Sequence, residues 1–327
     1  MPIHPTRRQM IALTGAALLA SPAYARGADP TQATGGRAFA SHWRITGPAG
    51  ADMDALRPAV EQIIAMVDRQ MSPWRADSEL SRFNAARRES PASGDLARVA
   101  GAALEIARAS DGWFDPTVGP LVARWGFGPI STADAGQLGR WQGLSVAGDH
   151  LAKDAPGLSM DLCGIAKGRA LDLIAAHLQA AGIGDALIDL GGELSALGSH
   201  PSGRDWQVAV EDPRPDHGGG AAGMRLPGGM AVATSGLGAQ GYDIGGDRYS
   251  HIIDPRAARP VAGRLASVSV LAASAMRADG WATALLAAGA DRGPELARAQ
   301  GLAALFLFGD DAGLARMTTG GFDRYLI

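Results

Sequence analysis

Cysteine is almost missing from this chain. Cys163 is the only one in 327 residues, so no disulfide within the chain can staple the fold. Nor is there any basic excess. The net charge is −3, with no basic run, which argues against nucleic acid as a partner. No apolar run reaches the ~20 residues that a bilayer-spanning helix needs. P-loop and G-x-S-x-G patterns are absent, as are internal repeats, heptads and an internal linker. Gly218, Gly220 and Gly223 do satisfy G-x-G-x-x-G. They fall in a low-complexity stretch, residues 213–229, expected to be a surface loop. With no strand before them and no helix after, the dinucleotide-fold reading fails.

What remains is the composition of a globular protein, 46% hydrophobic and 19% charged, long enough for one large core or two. The first residues carry an export signal. Arg7 and Arg8 precede a mildly apolar stretch at 11–20, and Ala23-Tyr24-Ala25 gives a small-residue cleavage pattern. The paired arginines resemble a twin-arginine signal, with the general secretory route as the alternative. No cysteine stands near the cleavage site to take a lipid anchor. The expected product is an exported, periplasmic protein, with residues 1–25 removed, 26–36 a flexible lead and 37–327 one large domain.

Along that domain the periodicity predicts a first strand at 37–46 and a helix carrying Leu56, Val60, Ile63, Ile64 and Val67 on one face, with Pro58 in its first turn. A short capped helix follows at 78–84, and another from 96 to 109 that stops at Asp111-Gly112. Short apolar strands are predicted at 186–190, 194–197, 206–210, 231–234, 249–253 and 268–271. The expected class is α+β, with mixed sheets flanked by helices.

The stretch Met160-Asp161-Leu162-Cys163-Gly164-Ile165-Ala166-Lys167-Gly168 reads as a strand end, a glycine turn and a helix start, closed at Gly182 and Gly184. Such a junction aims backbone N–H groups at an anion, and Lys167 adds a cation. A plain turn with a surface lysine fits the residues equally well. Trp113-Phe114-Asp115-Pro116 offers stacking faces for a flat ligand, or a rigid turn over the core. Asp279 and Thr283 lie at i and i+4, hard oxygen donors suited to Mg²⁺, unless Asp279 simply serves the helix dipole. His251 and Asp254 bracket two apolar residues at a strand end.

Taken together, seven motifs in this order resemble the ApbE-type FAD:protein FMN transferases: residues 71–84, 114–121, 160–168, 190–192, 233–236, 251–256 and 278–279. The resemblance covers the chain from about Arg37 onward. It implies an FAD cleft between two halves of the domain and transfer of FMN to a Thr or Ser hydroxyl of an exported acceptor flavoprotein, releasing AMP. It also implies that Asp279, Thr283 and the Gly164 carbonyl hold Mg²⁺. Asp161, Lys167, Trp74, Trp113, Phe114 and Asp115 would line the FAD site, with Phe39, Thr234 and Ile253 as lesser contributors. His251 is the expected general base, and Asp254 the competing one. FAD hydrolysis by the same site and non-catalytic FAD binding are the alternative functions. Three positions depart from the family pattern: Ala257-Ala258 where Thr-Gly is usual, Cys163 where Gly or Ser is usual, and Gly280 where Ala is usual. The last is expected to loosen the metal site slightly.

Overall fold

The computed structural model describes residues 31–327 apart from 131–138, 215–218, 239, 246 and 311–312. The expected export signal lies outside these residues. The described chain begins with a hairpin, β1 (Thr31–Ala38) paired to β2 (Ser41–Pro48). Residues 31–36 are therefore an edge strand and not a flexible lead, and the strand expected at 37–46 is two strands. Gly35 and Gly36 look like linker residues but serve packing. A methyl group on Gly36 would stand 2.7 Å from the Trp43 indole nitrogen, and Trp43 is 1% exposed. Phe39 and Ala40 form the two-residue turn, with φ of 48° and 61°, as a type I′ hairpin requires.

α1 (Arg57–Met71) carries Pro58 in its first turn and buries Val60, Ile64, Val67 and Met71. α2 (Glu79–Ala85) is capped by Ser78, whose Oγ accepts the Ser81 N–H at 2.9 Å. After β3 (Glu89–Pro91) comes α3 (Gly94–Ala109), which ends where Asp111 and Gly112 both take positive φ. α4 (Gly119–Arg124) is short. β4 (Leu144–Ala147) and β5 (His150–Lys153) complete a small sheet of order β3-β5-β4. α5 (Ala166–Ala180) buries Leu171, Ile174 and Leu178. Gly182 closes it at φ 79°, and the Ile183 N–H returns to the Leu178 carbonyl.

The C-terminal half is mostly strand: β6 (Ala186–Leu190), β7 (Glu193–Leu197), β8 (Trp206–Glu211), β9 (Gly220–Leu226) and β10 (Ala231–Gly236). Then follow β11 (Gly241–Ile244), β12 (Asp247–Ser250), β13 (Ile253–Asp254), β14 (Arg259–Pro260) and β15 (Leu265–Ala272). α6 (Ala275–Ala287), α7 (Gly289–Ala299), β16 (Ala303–Asp310) and β17 (Gly313–Thr319) finish the chain. The expected 213–229 loop is corrected by β9, where Met224 and Leu226 are fully buried. Its glycines suit a strand whose neighbours crowd it, since a methyl group on Gly223 would meet Ile327 at 2.9 Å.

Eight strands form the central sheet in the order β1-β2-β6-β7-β10-β15-β16-β17. The α+β class stands, but every described pairing is antiparallel where mixed pairing was expected. Only two residues separate β1 from β2, β6 from β7 and β16 from β17, and a chain that folds back on itself through a tight turn pairs antiparallel. One face of the sheet packs on α1, α3, α5 and α6 around Trp43, Ile188, Val268 and Leu285. The other face carries the β8–β9 ribbon over Trp206, Met224, Leu305 and Phe322.

Candidate active site

The turn before α5 is built without the strand expected there. Met160 is held instead by a side chain, with the Asn84 amide accepting its N–H at 2.8 Å and donating to its carbonyl at 2.9 Å. The Asp161 N–H reaches the Pro116 carbonyl at 2.7 Å. This ties the 160–168 motif to the 114–121 motif. Asp161 Oδ1 accepts the Cys163 N–H at 2.9 Å, and burial raises the Asp161 carboxyl. Cys163 reaches solvent as a residue. Desolvation by the surrounding protein, followed by the Asp161 carboxylate, nevertheless pushes the thiol well above its ordinary range.

The anion at the start of α5 belongs to the protein. Asp279 Oδ2 accepts the Gly168 N–H at 3.0 Å, so a buried side chain on α6 satisfies this helix terminus. Asp279 is 4% exposed, and burial raises its carboxyl. One turn further along α6, Thr283 Oγ1 stands 3.4 Å from the Gly164 carbonyl and 3.2 Å from Ser235 Oγ. Asp279, Thr283 and Gly164 are therefore brought together. No cluster of three His, Cys, Asp or Glu side chains is found among the described residues. The donors here are a carboxylate, a hydroxyl and a carbonyl. That all-oxygen set fits Mg²⁺, which keeps waters and substrate phosphates as its remaining ligands.

Gly280 is not loose. A methyl group there would meet Ile106 at 2.6 Å and Ile165 at 3.3 Å, so glycine allows α6 to press against the turn. Thr234, in contrast, points away from the site. On β10 the side chains of Ala231 and Ala233 join the core beneath the helices, and Val232 joins the opposite one. Period 2 puts Ser235 with the first pair and Thr234 with the second, where it bonds Ser269 at 2.7 Å.

Lys167 is already paired. Its Nζ donates to Glu193 Oε1 at 2.6 Å. Desolvation works against the ammonium, but Glu193 and Asp279 outweigh it and raise its pKa. Burial lifts the Glu193 carboxyl from 4.5 to about 7 despite the opposing pull of Lys167. The sequence reading missed both Glu193 and Ser235. Their signal was alternation, because Glu193 shares a strand face with Ser195 and Leu197, all buried.

The aromatic wall is only partly open. Phe114 is 4% exposed and packs under Gly164, 3.4 Å from where a Cβ would stand, so it supports the turn and offers no free face. Trp113 is half-buried, with the Arg256 guanidinium 4.2 Å from its ring centroid. Asp115 Oδ1 accepts both the N–H and the hydroxyl of Thr117, at 2.7 and 2.6 Å. Its Oδ2 is buried without a well-formed hydrogen bond, and burial raises the carboxyl, opposed first by the two Thr117 hydrogen bonds and then by the Gly139 N–H. A cavity of about 180 Å³ lies here, lined by Asp111, Asp115, Trp141 and Arg256 among others. Trp74 is 66% exposed. Phe39 is half-buried against the core at the tip of the first hairpin.

His251 breaks the strand expected at 249–253. Its backbone N–H and its Nδ1 each lie 3.3 Å from the Gln240 carbonyl. An Nδ1–H donating there leaves the lone pair on Nε2. Burial lowers its pKa, and the Lys167 charge lowers it further. The β11–β12 hairpin before it is fastened by stacked rings. Trp125 lies on Tyr249 at 5.4 Å, Tyr249 on Tyr242 at 5.6 Å, and Tyr242 on Phe127 at 5.2 Å. Asp254 is engaged locally. Its Oδ1 accepts the N–H groups of Arg256 and Ala257 at 2.8 and 2.9 Å, which makes it the cap of its own turn. Ala258 closes that turn at φ 55°, the conformation the usual glycine adopts at no cost. Ile253 is buried at 5% exposure and pairs with Pro260.

Comparison with known proteins bears on the family. A profile described as the ApbE family matches residues 39–306. The FAD:protein FMN transferase of Vibrio cholerae is 36% identical over 294 residues, covering 86% of this chain and 88% of that protein. That of Escherichia coli K12 is 33% identical over 325 residues, covering 90% and 92%. Among solved structures, the flavin transferase ApbE from Vibrio cholerae superposes with a TM-score of 0.79 at 34% identity, covering 90% of this chain and 99% of that one. The apo flavinyl transferase ApbE of Pseudomonas stutzeri gives 0.80 at 34% identity, covering 90% and 96%. With a matching profile over most of its length and relatives of this identity, the chain belongs to the ApbE family.

Proposed function

We propose that this chain is an exported, magnesium-dependent FAD:protein FMN transferase. Its acceptor is a flavoprotein presenting a Thr or Ser hydroxyl. The observation that carries this reading is the convergence of Asp279, Thr283 and the Gly164 carbonyl at the turn that carries Lys167. The acceptor oxygen attacks the FMN-side phosphorus and forms a phosphoester bond. The bond from that phosphorus to the bridging oxygen breaks, and AMP leaves. His251 Nε2 takes the hydroxyl proton. Lys167 orients the diphosphate, and Trp113 and Trp74 supply faces for the rings. Mg²⁺, when bound, draws charge from the pyrophosphate oxygens. Asp254, committed to its turn, positions the loop that carries Arg256.

The test incubates the purified protein with FAD, Mg²⁺ and an acceptor protein, then reads covalent flavin fluorescence on a denaturing gel while AMP is followed in solution. Transfer gives both signals. AMP without labelled acceptor indicates FAD hydrolysis, and neither signal indicates binding alone. Asp279→Ala should abolish labelling and Thr283→Ala should reduce it less, since only the first removes a charged ligand. Full labelling in the presence of a chelator would overturn the metal assignment.

A further inference from the structure

We propose that Glu193 is a positioning residue that holds the Lys167 ammonium away from Asp279 and so keeps that carboxylate available to a divalent cation. The inference rests on the reading of Asp279 as a metal ligand. Lys167 is the residue before Gly168, whose N–H binds Asp279, so the flexible lysine stem starts beside that carboxylate. Each of the two acids interacts with the ammonium. The hydrogen bond, however, goes to Glu193, at 2.6 Å.

Glu193 is 3% exposed, and its second oxygen is buried with no hydrogen-bond partner. A buried carboxylate with an orphan oxygen is costly for the fold. The Lys167 contact is the only side-chain hydrogen bond found for Glu193 among the described residues. Without Glu193 the ammonium would turn to the other buried acid in range. An Asp279–Lys167 pair would then compete directly with a cation. A leucine at position 193 fills similar space but offers no acceptor.

The experiment measures binding of Mn²⁺ alone to the full chain by the loss of its free electron paramagnetic resonance signal. Far-ultraviolet circular dichroism and thermal melting confirm that each variant folds. Glu193→Leu should weaken Mn²⁺ binding ten-fold or more. Glu193→Gln, which keeps the shape and one acceptor oxygen, should weaken it less. Adding Lys167→Met to Glu193→Leu should restore binding to at least the wild-type level, because the competing ammonium is gone. A purely structural role for Glu193 would not be rescued in this way. Wild-type affinity in Glu193→Leu, or a double variant as weak as Glu193→Leu, overturns the proposal. Asp279→Ala serves as the control. If it binds Mn²⁺ as tightly as the wild type, the metal reading falls and this proposal falls with it. If it loses Mn²⁺ and Glu193→Leu does not, only the role of Glu193 falls.

Discussion

At the level of single side chains, His251 gives the sharpest test of the chemistry. Its pKa is lowered by burial, so the imidazole stays neutral, and able to accept a proton, at pH values where an ordinary histidine is charged. The acid limb of the transfer rate should therefore fall below pH 6.5, and His251→Ala should remove that limb while cutting transfer ~100-fold or more. FAD affinity, measured by fluorescence quenching, should barely change. If binding and transfer vanish together, the histidine belongs to the pocket and not to the proton transfer. The linked stability effect has a definite sign. Below pH 6.5 the unfolded chain takes up a proton that folded His251 refuses, so stability present above that pH is lost as pH falls. Of the candidate site, Asp279, Thr283 and Lys167 were named in the sequence through the order of the motifs they belong to. Thr234 was misplaced by one position, because only strand alternation separates it from Ser235. For Glu193, alternation marked a buried strand face, but its partner lies 26 residues away, and that pairing leaves no local pattern.

Among the elements, the crossing of α5 and α6 matters most. A methyl group on Gly168 would stand 2.3 Å from the Ala275 carbonyl oxygen and 2.6 Å from the Met276 Cα. These are backbone atoms and cannot rotate aside. The crossing is fastened from α5 as well, since the Asp172 carboxylate accepts from the Ser274 hydroxyl and the Ala275 and Met276 N–H groups. Gly168→Ala should cost about 1–3 kcal/mol by overpacking, against a helix-propensity gain of at most ~1 kcal/mol. Pushing the helices apart would also draw the Gly168 N–H from Asp279, so divalent-cation affinity should fall alongside Tm. An unchanged Tm would show that the crossing is slack. The long helices were readable because each buries an apolar stripe. The small sheet of β3, β4 and β5, the helices α4 and α7 and the strands β16 and β17 were not predicted, and β1 and β9 were misread because glycines that make room for Trp43 and Ile327 imitate linker composition.

Across the whole molecule, the antiparallel sheet and its two cores account for the described residues, and no helix among them is long and apolar enough to cross a membrane. The proposed export rests on the leading segment, read from the sequence alone. Changing Arg7 and Arg8 together to lysine should leave precursor in the cytoplasm if the twin-arginine route operates. Unchanged export on fractionation would assign the general secretory pathway.

The ring column of Trp125, Tyr249, Tyr242 and Phe127 bears on how such an enzyme changes over generations. Asp279 and Thr283 stand on a helix packed into the main core, where most substitutions endanger folding. His251 hangs from a two-stranded ribbon outside the central sheet, fastened by those rings. Drift in the ribbon can shift the imidazole by small steps while the dinucleotide end keeps its form. On the proposed roles, a lineage could in this way change the hydroxyl that is served, or let water take its place, without rebuilding the residues proposed to hold the nucleotide.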